Sequence, residues 1–177
     1  MHRLFVALRP PPAIRTLLLD AMGGVPGARW QDHDQLHLTL RYIGAAETPQ
    51  AEDIAAALHQ VSQPRPIVAV SGVGTFDRKG AAHTLWAGVA PDEALKLLRD
   101  RINRVLTLAG VAPEDRAFKP HITLARLPRS AGPLDGFLSR AAGLSAPPFT
   151  PDAFLLYEST LGSEGSIYEA VARYPLT

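Results

Sequence analysis

The tetrapeptide His37-Leu38-Thr39-Leu40 recurs as His121-Ile122-Thr123-Leu124, 84 residues later (37 to 121), close to half the length of a 177-residue chain. A repeat of that period constrains the fold more than any other feature, because it asks for two similar small lobes that share one core. The flanks agree. Leu4-Phe5-Val6-Ala7-Leu8 aligns with Leu85-Trp86-Ala87-Gly88-Val89 at an offset of 81 (4 to 85), and at that offset Pro10 meets Pro91, Ala13 meets Ala94 and Ile14-Arg15 meets Leu95-Lys96. Each half therefore reads as strand, proline, helix, loop, then a strand bearing His-x-Thr. One domain over 1–177, with repeat units beginning near 3 and near 84, would set its two motifs across a shared cleft about a pseudo-twofold axis.

The rest of the chain fills in around that frame. The apolar run 4–8 predicts a strand, and the prolines at 10–12 end it and open a helix carrying Ile14, Leu17 and Leu18, until Gly23-Gly24 and Pro26-Gly27 break it. A strand follows at 37–43. Ile54, Ala55, Leu58 and Val61 recur at helical spacing over 48–62. Strands at 67–76 and 84–89 flank the turn sequence Asp77-Arg78-Lys79-Gly80. The clearest helix begins near Pro91 with Asp92 and Glu93 in its first turn, lines one face with Leu95, Leu98, Ile102, Val105 and Leu106, and stops at Gly110. A strand over 121–127, a weaker helix over 131–142 and a closing hairpin from 153–161 to 167–171 complete the reading.

Side chains alternate along a strand, so His37 and Thr39 share one face and Leu38 and Leu40 the other; the second motif behaves alike. Each strand then buries its aliphatic face and offers an imidazole and a hydroxyl opposite. Two such strands on one cleft suit attack on a cyclic phosphate. A neutral imidazole takes a proton from water, an imidazolium gives one to the departing ribose oxygen, and the hydroxyls donate to the non-bridging oxygens as charge develops. This chemistry needs neither metal nor cofactor.

Composition narrows the alternatives. With no cysteine, thiolate metal sites, disulfides and cysteine nucleophiles are excluded. The net charge of +1 announces no long nucleic-acid track, so any RNA contact is local, at a chain end or a few phosphates. No apolar run is long enough to span a bilayer, and the chain reads as a cytoplasmic protein that works as a monomer.

Taken with their flanks, the paired motifs resemble the two-histidine (2H) phosphoesterase superfamily, and more closely the bacterial and archaeal RNA 2',3'-cyclic phosphodiesterases, long called 2'-5' RNA ligases. The resemblance rests on Arg3-Leu4-Phe5-Val6-Ala7-Leu8, Leu36-His37-Leu38-Thr39-Leu40-Arg41-Tyr42-Ile43-Gly44, Leu85-Trp86-Ala87-Gly88-Val89 and Phe118-Lys119-Pro120-His121-Ile122-Thr123-Leu124-Ala125-Arg126. It implies a bilobal, LigT-like α+β fold, with antiparallel sheets around a central cleft and helices outside. It also implies hydrolysis of RNA 2',3'-cyclic phosphate ends to 2'-phosphomonoesters, with reversal giving 2'-5' ligation. Carried over, His121 is the proton acceptor, His37 the proton donor, Thr39 and Thr123 cradle the phosphate, and Arg126 contacts it. Arg126 has the wrong strand parity for the cleft, so a bulge or twist is expected before it. Arg41 has the right parity and is a second candidate. Two other functions stay open: a phosphodiesterase on small cyclic nucleotides or 2'-5' linkages, and a non-catalytic RNA- or nucleotide-binding module.

Other residues read more plainly. The His33 and His37 spacing suits a metal pair, but no further ligand suggests itself. His83 flanks a turn, His2 and His59 read as surface residues, and Arg99, Arg101 and Arg104 as a solvated helix face. Phe5 and Trp86 occupy matching repeat positions and read as core aromatics, with stacking on a base as the alternative.

Overall fold

A computed structural model describes all residues, 1–177. Eight strands and four helices follow in the order β1 (His2–Leu8), α1 (Pro12–Ala21), β2 (Arg29–Trp30), β3 (Leu38–Ala46), α2 (Thr48–Leu58), β4 (Val70–Arg78), β5 (Ala81–Val89), α3 (Glu93–Leu108), β6 (His121–Arg126), α4 (Asp135–Ala141), β7 (Ala153–Gly162) and β8 (Gly165–Pro175). The expected α+β architecture is present. Its two sheets meet as one antiparallel sheet, ordered β4-β5-β6-β3-β1-β7-β8, with β2 on the outer part of β6. The join is narrow, since β3 and β6 share the single paired position Leu38↔Ile122.

Local chemistry explains the elements. Pro12 is the first residue of α1, where a missing N–H costs nothing. Asp92 caps α3, its carboxylate accepting from the Leu95 N–H at 3.0 Å. The β4–β5 hairpin turns at Lys79 (φ 51°) and Gly80 (φ 76°), the positive-φ pair that a two-residue hairpin requires. The short β2 at Arg29–Trp30 has no counterpart in the sequence reading, being too brief to carry a pattern.

All four helices contribute to one core, on one side of the sheet. Ile14 and Leu18 of α1, Ile54 and Leu58 of α2, Leu95, Leu98, Ile102 and Leu106 of α3, and Phe137 of α4 pack there with Leu4, Val6, Leu8, Leu38, Leu40, Leu85, Ile122 and Leu124 from the strands. Each such fully buried aliphatic side chain contributes about 1.5–3 kcal/mol. The opposite face carries a separate small cluster of Phe5, Ala7 and Tyr157. That helix-free face holds both histidines.

The two motif strands match in detail. Residues 38–42 and 122–126 share one burial pattern: buried, half-buried, buried, buried, exposed. Both strands carry an extra residue at the same place. Ala7 pairs with Thr39 but Val6 with Arg41, so Leu40 bulges; Trp86 pairs with Thr123 but Leu85 with Ala125, so Leu124 bulges. The flanking strands are related differently from their sequence match. Ala7 and Trp86 oppose the two motif threonines, and Phe5 and Thr84 oppose Tyr42 and Arg126. The pairing offset is thus 79 (7 to 86) rather than 81, and Phe5 and Trp86 are not register equivalents. The two-residue slip preserves facing, because strand side chains have a period of two.

Candidate active site

Each imidazole is oriented by the carbonyl two residues before it. His37 Nδ1–H donates to Gln35 O at 2.7 Å, and His121 Nδ1–H donates to Lys119 O at 2.6 Å. A carbonyl only accepts, so both rings are fixed with Nδ1 protonated and Nε2 available for chemistry. His37 Nε2 lies 3.0 Å from Thr39 Oγ1, whose hydroxyl donates to it while the ring is neutral. His121 Nε2 has no partner within the chain, and nor does the Thr123 hydroxyl.

Cross-strand geometry brings the four groups together. Leu38 and Ile122 are the central antiparallel pair. Continuing that register sets His37 across from Thr123 and Thr39 across from His121, all on the face away from the core. His37 is wrapped by Phe5 (ring centroids 4.8 Å apart), Tyr168 (5.2 Å, edge-on) and Tyr157 (6.2 Å). His121 is flanked by Phe76 (4.8 Å, edge-on) and Trp86 (6.2 Å).

Burial among these aromatics disfavours the charged rings. It pushes His37 down to about 4, against the opposing pull of the Gln35 carbonyl, with the charges of Arg126 and His121 lowering it further. His121 is also lowered, first by burial and then by Arg126, while the Lys119 carbonyl works the other way. One arginine thus acts on both rings, which puts its charge between or beside them. In the empty site both histidines are neutral near pH 7, so the acid form is acquired together with an anion that supplies counter-charge.

The two arginine candidates separate. The bulge at Leu124 restores Arg126 to the face of His121 and Thr123, where its exposed side chain donates from Nη1 to Thr84 Oγ1 at 3.1 Å. The bulge at Leu40 does the reverse to Arg41. Arg41 is 5% exposed and turns toward the helices, where its guanidinium donates to Tyr42 O, Asn103 Oδ1 of α3 and Ala112 O. Arg41 is therefore a core residue with its donors committed, and the parity that favoured it is cancelled by the extra residue. Tyr42 takes the place on β3 that Arg126 holds on β6, and is exposed there beside Arg3 (Nη1 to Tyr42 OH 3.4 Å).

The remaining histidines lie elsewhere. His33 is occupied by Arg15, which reaches its Nδ1 at 2.9 Å and its carbonyl at 3.2 Å; His2 pairs with Glu158; His59 packs edge-on against Tyr174; and His83 meets the Thr84 hydroxyl. No group of three or more His, Asp or Glu is placed to hold a metal ion. Tyr157, Tyr168 and Phe76 escaped the sequence reading because only strand order brings β7, β8 and β4 beside the motifs. The matching carbonyls of Gln35 and Lys119 were within reach, each standing two residues before its histidine.

Comparison with known proteins places this geometry. Residues 10–162 match the family model of the 2'-5' RNA ligase superfamily. A protein of Aeropyrum pernix named RNA 2',3'-cyclic phosphodiesterase is 31% identical over 151 residues, spanning 84% of this chain and 85% of its own. The Thermus thermophilus protein of that name is 30% identical over 98% of this chain and 90% of its own, and the Escherichia coli one 26% identical over 99% and 97%. Among solved structures, one from Thermus thermophilus superposes with a TM-score of 0.81, covering 98% of this chain and 97% of that one at 24% identity. The Escherichia coli LigT structure complexed with 3'-AMP gives 0.79, covering 99% and 98% at 24% identity. The chain belongs to the 2'-5' RNA ligase superfamily.

Proposed function

We propose that the protein hydrolyses RNA 2',3'-cyclic phosphate ends to 2'-phosphomonoesters, without a metal, through general acid–base catalysis by His37 and His121. The observation that carries this reading is the pair of imidazoles on one face, each locked with Nδ1 on a backbone carbonyl and Nε2 turned to chemistry. The curated relatives' shared name supports the substrate class.

His121 is the proton acceptor, because its Nε2 is unoccupied and it is the more open of the two rings. It takes a proton from water as the water oxygen attacks phosphorus. The P–O3' bond breaks, and His37 Nε2–H gives its proton to O3'. Thr39 and Thr123 donate to the non-bridging oxygens, and Arg126, whose charge reaches both rings, neutralises the developing charge. The entering phosphate is an anion. It favours the imidazolium of His37 that burial disfavours in the empty site, so the acid is charged when substrate is bound.

We read residues 1–177 as one catalytic unit of two repeats, beginning near 3 and near 84. Matching bulges, burial patterns and orienting carbonyls support it. The site is built within one chain, which supports action as a monomer, and no helix is long and apolar enough to cross a membrane. We place the activity in the cytoplasm.

The test is turnover of an RNA ending in a 2',3'-cyclic phosphate in the presence of EDTA. A 2'-phosphate product is expected. No turnover overturns the reading, and a 3'-phosphate product reverses the leaving group.

A further inference from the structure

We propose that the cavity beside His121 is a slot for an acceptor nucleoside, whose 5'-hydroxyl replaces water as the nucleophile. The inference rests on His121 being the base. The cavity holds about 380 Å³, within the range of small-molecule sites, and is lined by Phe76, Trp86, Gly88, Pro91, Lys119 and His121.

Two glycines shape it. A Cβ on Gly74 of β4 would lie 2.3 Å from the Trp86 ring, and one on Gly88 would lie 2.5 Å from the Ser71 carbonyl oxygen and 3.4 Å from the indole. The indole can lie across β4 only because Gly74 has no side chain. Trp86 then meets Phe76 at 5.5 Å, and the two rings form a fixed aromatic wall next to His121. The indole Nε1 is buried without a partner, so the side chain is held there by shape alone, at a polar cost that packing does not need. A rigid aromatic wall of this kind binds the face of any nucleobase. Lys119 contributes a cation suited to a phosphate on the acceptor strand.

The His37 side is built differently. Phe5, Tyr157 and Tyr168 crowd that ring, and the neighbouring cavity of about 290 Å³ has Arg9, Asp32, Asp34 and Gln35 in its lining. In-line displacement puts the entering oxygen opposite the departing one. O3' leaves toward His37, so the nucleophile enters from His121, where the aromatic cavity lies. The step balances: the 5'-O–P bond forms, the P–O3' bond breaks, His121 Nε2 takes the 5'-hydroxyl proton and His37 Nε2 gives one to O3'. The product is a 2'-5' phosphodiester.

The experiment supplies a mononucleotide 2',3'-cyclic phosphate with increasing adenosine, or with ethanol as a base-free alcohol, and measures the ratio of 2'-5' transfer to hydrolysis. Transfer to adenosine is expected to saturate and to exceed transfer to ethanol at equal concentration by at least about tenfold, the lower bound for stacking one base. Ala90→Trp, which fills the cavity from its rim, and Trp86→Leu, which removes the wall, should each lower that ratio by roughly 10- to 100-fold. Transfer that never saturates and equals that to ethanol overturns the slot. A parallel loss of transfer and hydrolysis in both variants, leaving the ratio fixed, also overturns it, since the cavity would then hold the cyclic nucleotide's own base. Adenosine binding followed by indole fluorescence, compared with Trp86→Leu, reads the slot without turnover. Binding without any turnover would sink the proposed hydrolysis and leave the slot standing; no binding would sink the slot.

Discussion

At the scale of single residues, the lowered proton affinity of both histidines makes a specific demand on the pH dependence. The working state has one ring protonated and one neutral. In the free protein His37 sits at about 4 and His121 below its usual value, so that state is most populated on the acid side of 6.5. The kcat/KM profile reports the free protein and should therefore peak below 6.5 and fall through neutrality. The kcat profile reports the complex, where the phosphate anion raises both rings, and should be displaced to higher pH. A kcat/KM that climbs to a plateau above pH 7 would contradict the burial that the aromatics impose. Thr123 is tested on its own terms. Its hydroxyl has no partner within the chain, so Thr123→Val removes a donor to the phosphate without breaking an internal bond. A loss in kcat of about 10²-fold, typical of one such donor, is expected; unchanged kcat would remove Thr123 from the site.

At the scale of elements, the two bulges decide which side chains reach the phosphate. Arg41→Ala should destabilise the fold by about 1–3 kcal/mol, since it strands buried acceptors at Asn103 and Ala112, and should leave KM unchanged. Arg126→Ala should do the opposite, lowering activity with little change in the denaturation midpoint. If Arg41→Ala instead raised KM while stability held, the bulge account would be wrong. The sequence predicted most elements well. Their signals were local: Pro12 opening α1, Asp92 capping α3, and alternation around both histidines. It also signalled a break before Arg126, because a positive residue on the wrong parity is itself a clue. It did not show that the same break applies to Arg41, since periodicity cannot count an extra residue until the partner strand is known. For the same reason it matched Phe5 with Trp86, although pairing relates Trp86 to Ala7. Tyr157, Tyr168 and Phe76 carry no motif at all; they reach the histidines through strand order alone.

At the scale of the molecule, one face of the sheet is covered by four helices and carries the stability, while the other is left to chemistry. The division has a thermodynamic signature. The unfolded chain binds protons at His37 and His121 near 6.5, but the folded chain resists doing so until lower pH. The unfolded state therefore holds more protons across this window, and stability rises with pH there. Falling from pH 6.5 toward 4, the protein should lose stability at up to about 1.4 kcal/mol per pH unit for His37 alone, with His121 adding over the upper part of the window. Chemical denaturation of the protein and of a His37→Asn variant would reveal it: the variant's stability should depend less on pH between 6.5 and 4. Equal slopes would mean that His37 is not held neutral by the fold.

The central claim is that two histidines from matching halves act as one acid–base pair on a cyclic phosphate. Single-turnover rates on a 2',3'-cyclic-phosphate RNA, compared between the protein, His37→Ala, His121→Ala and the double variant, test it most directly. Each single change should cost about 10²–10⁴-fold, and the double should cost little more than the worse single, because groups that act as a unit are not additive. Full activity in either single variant, or a double loss equal to the product of the two, would contradict the paired mechanism.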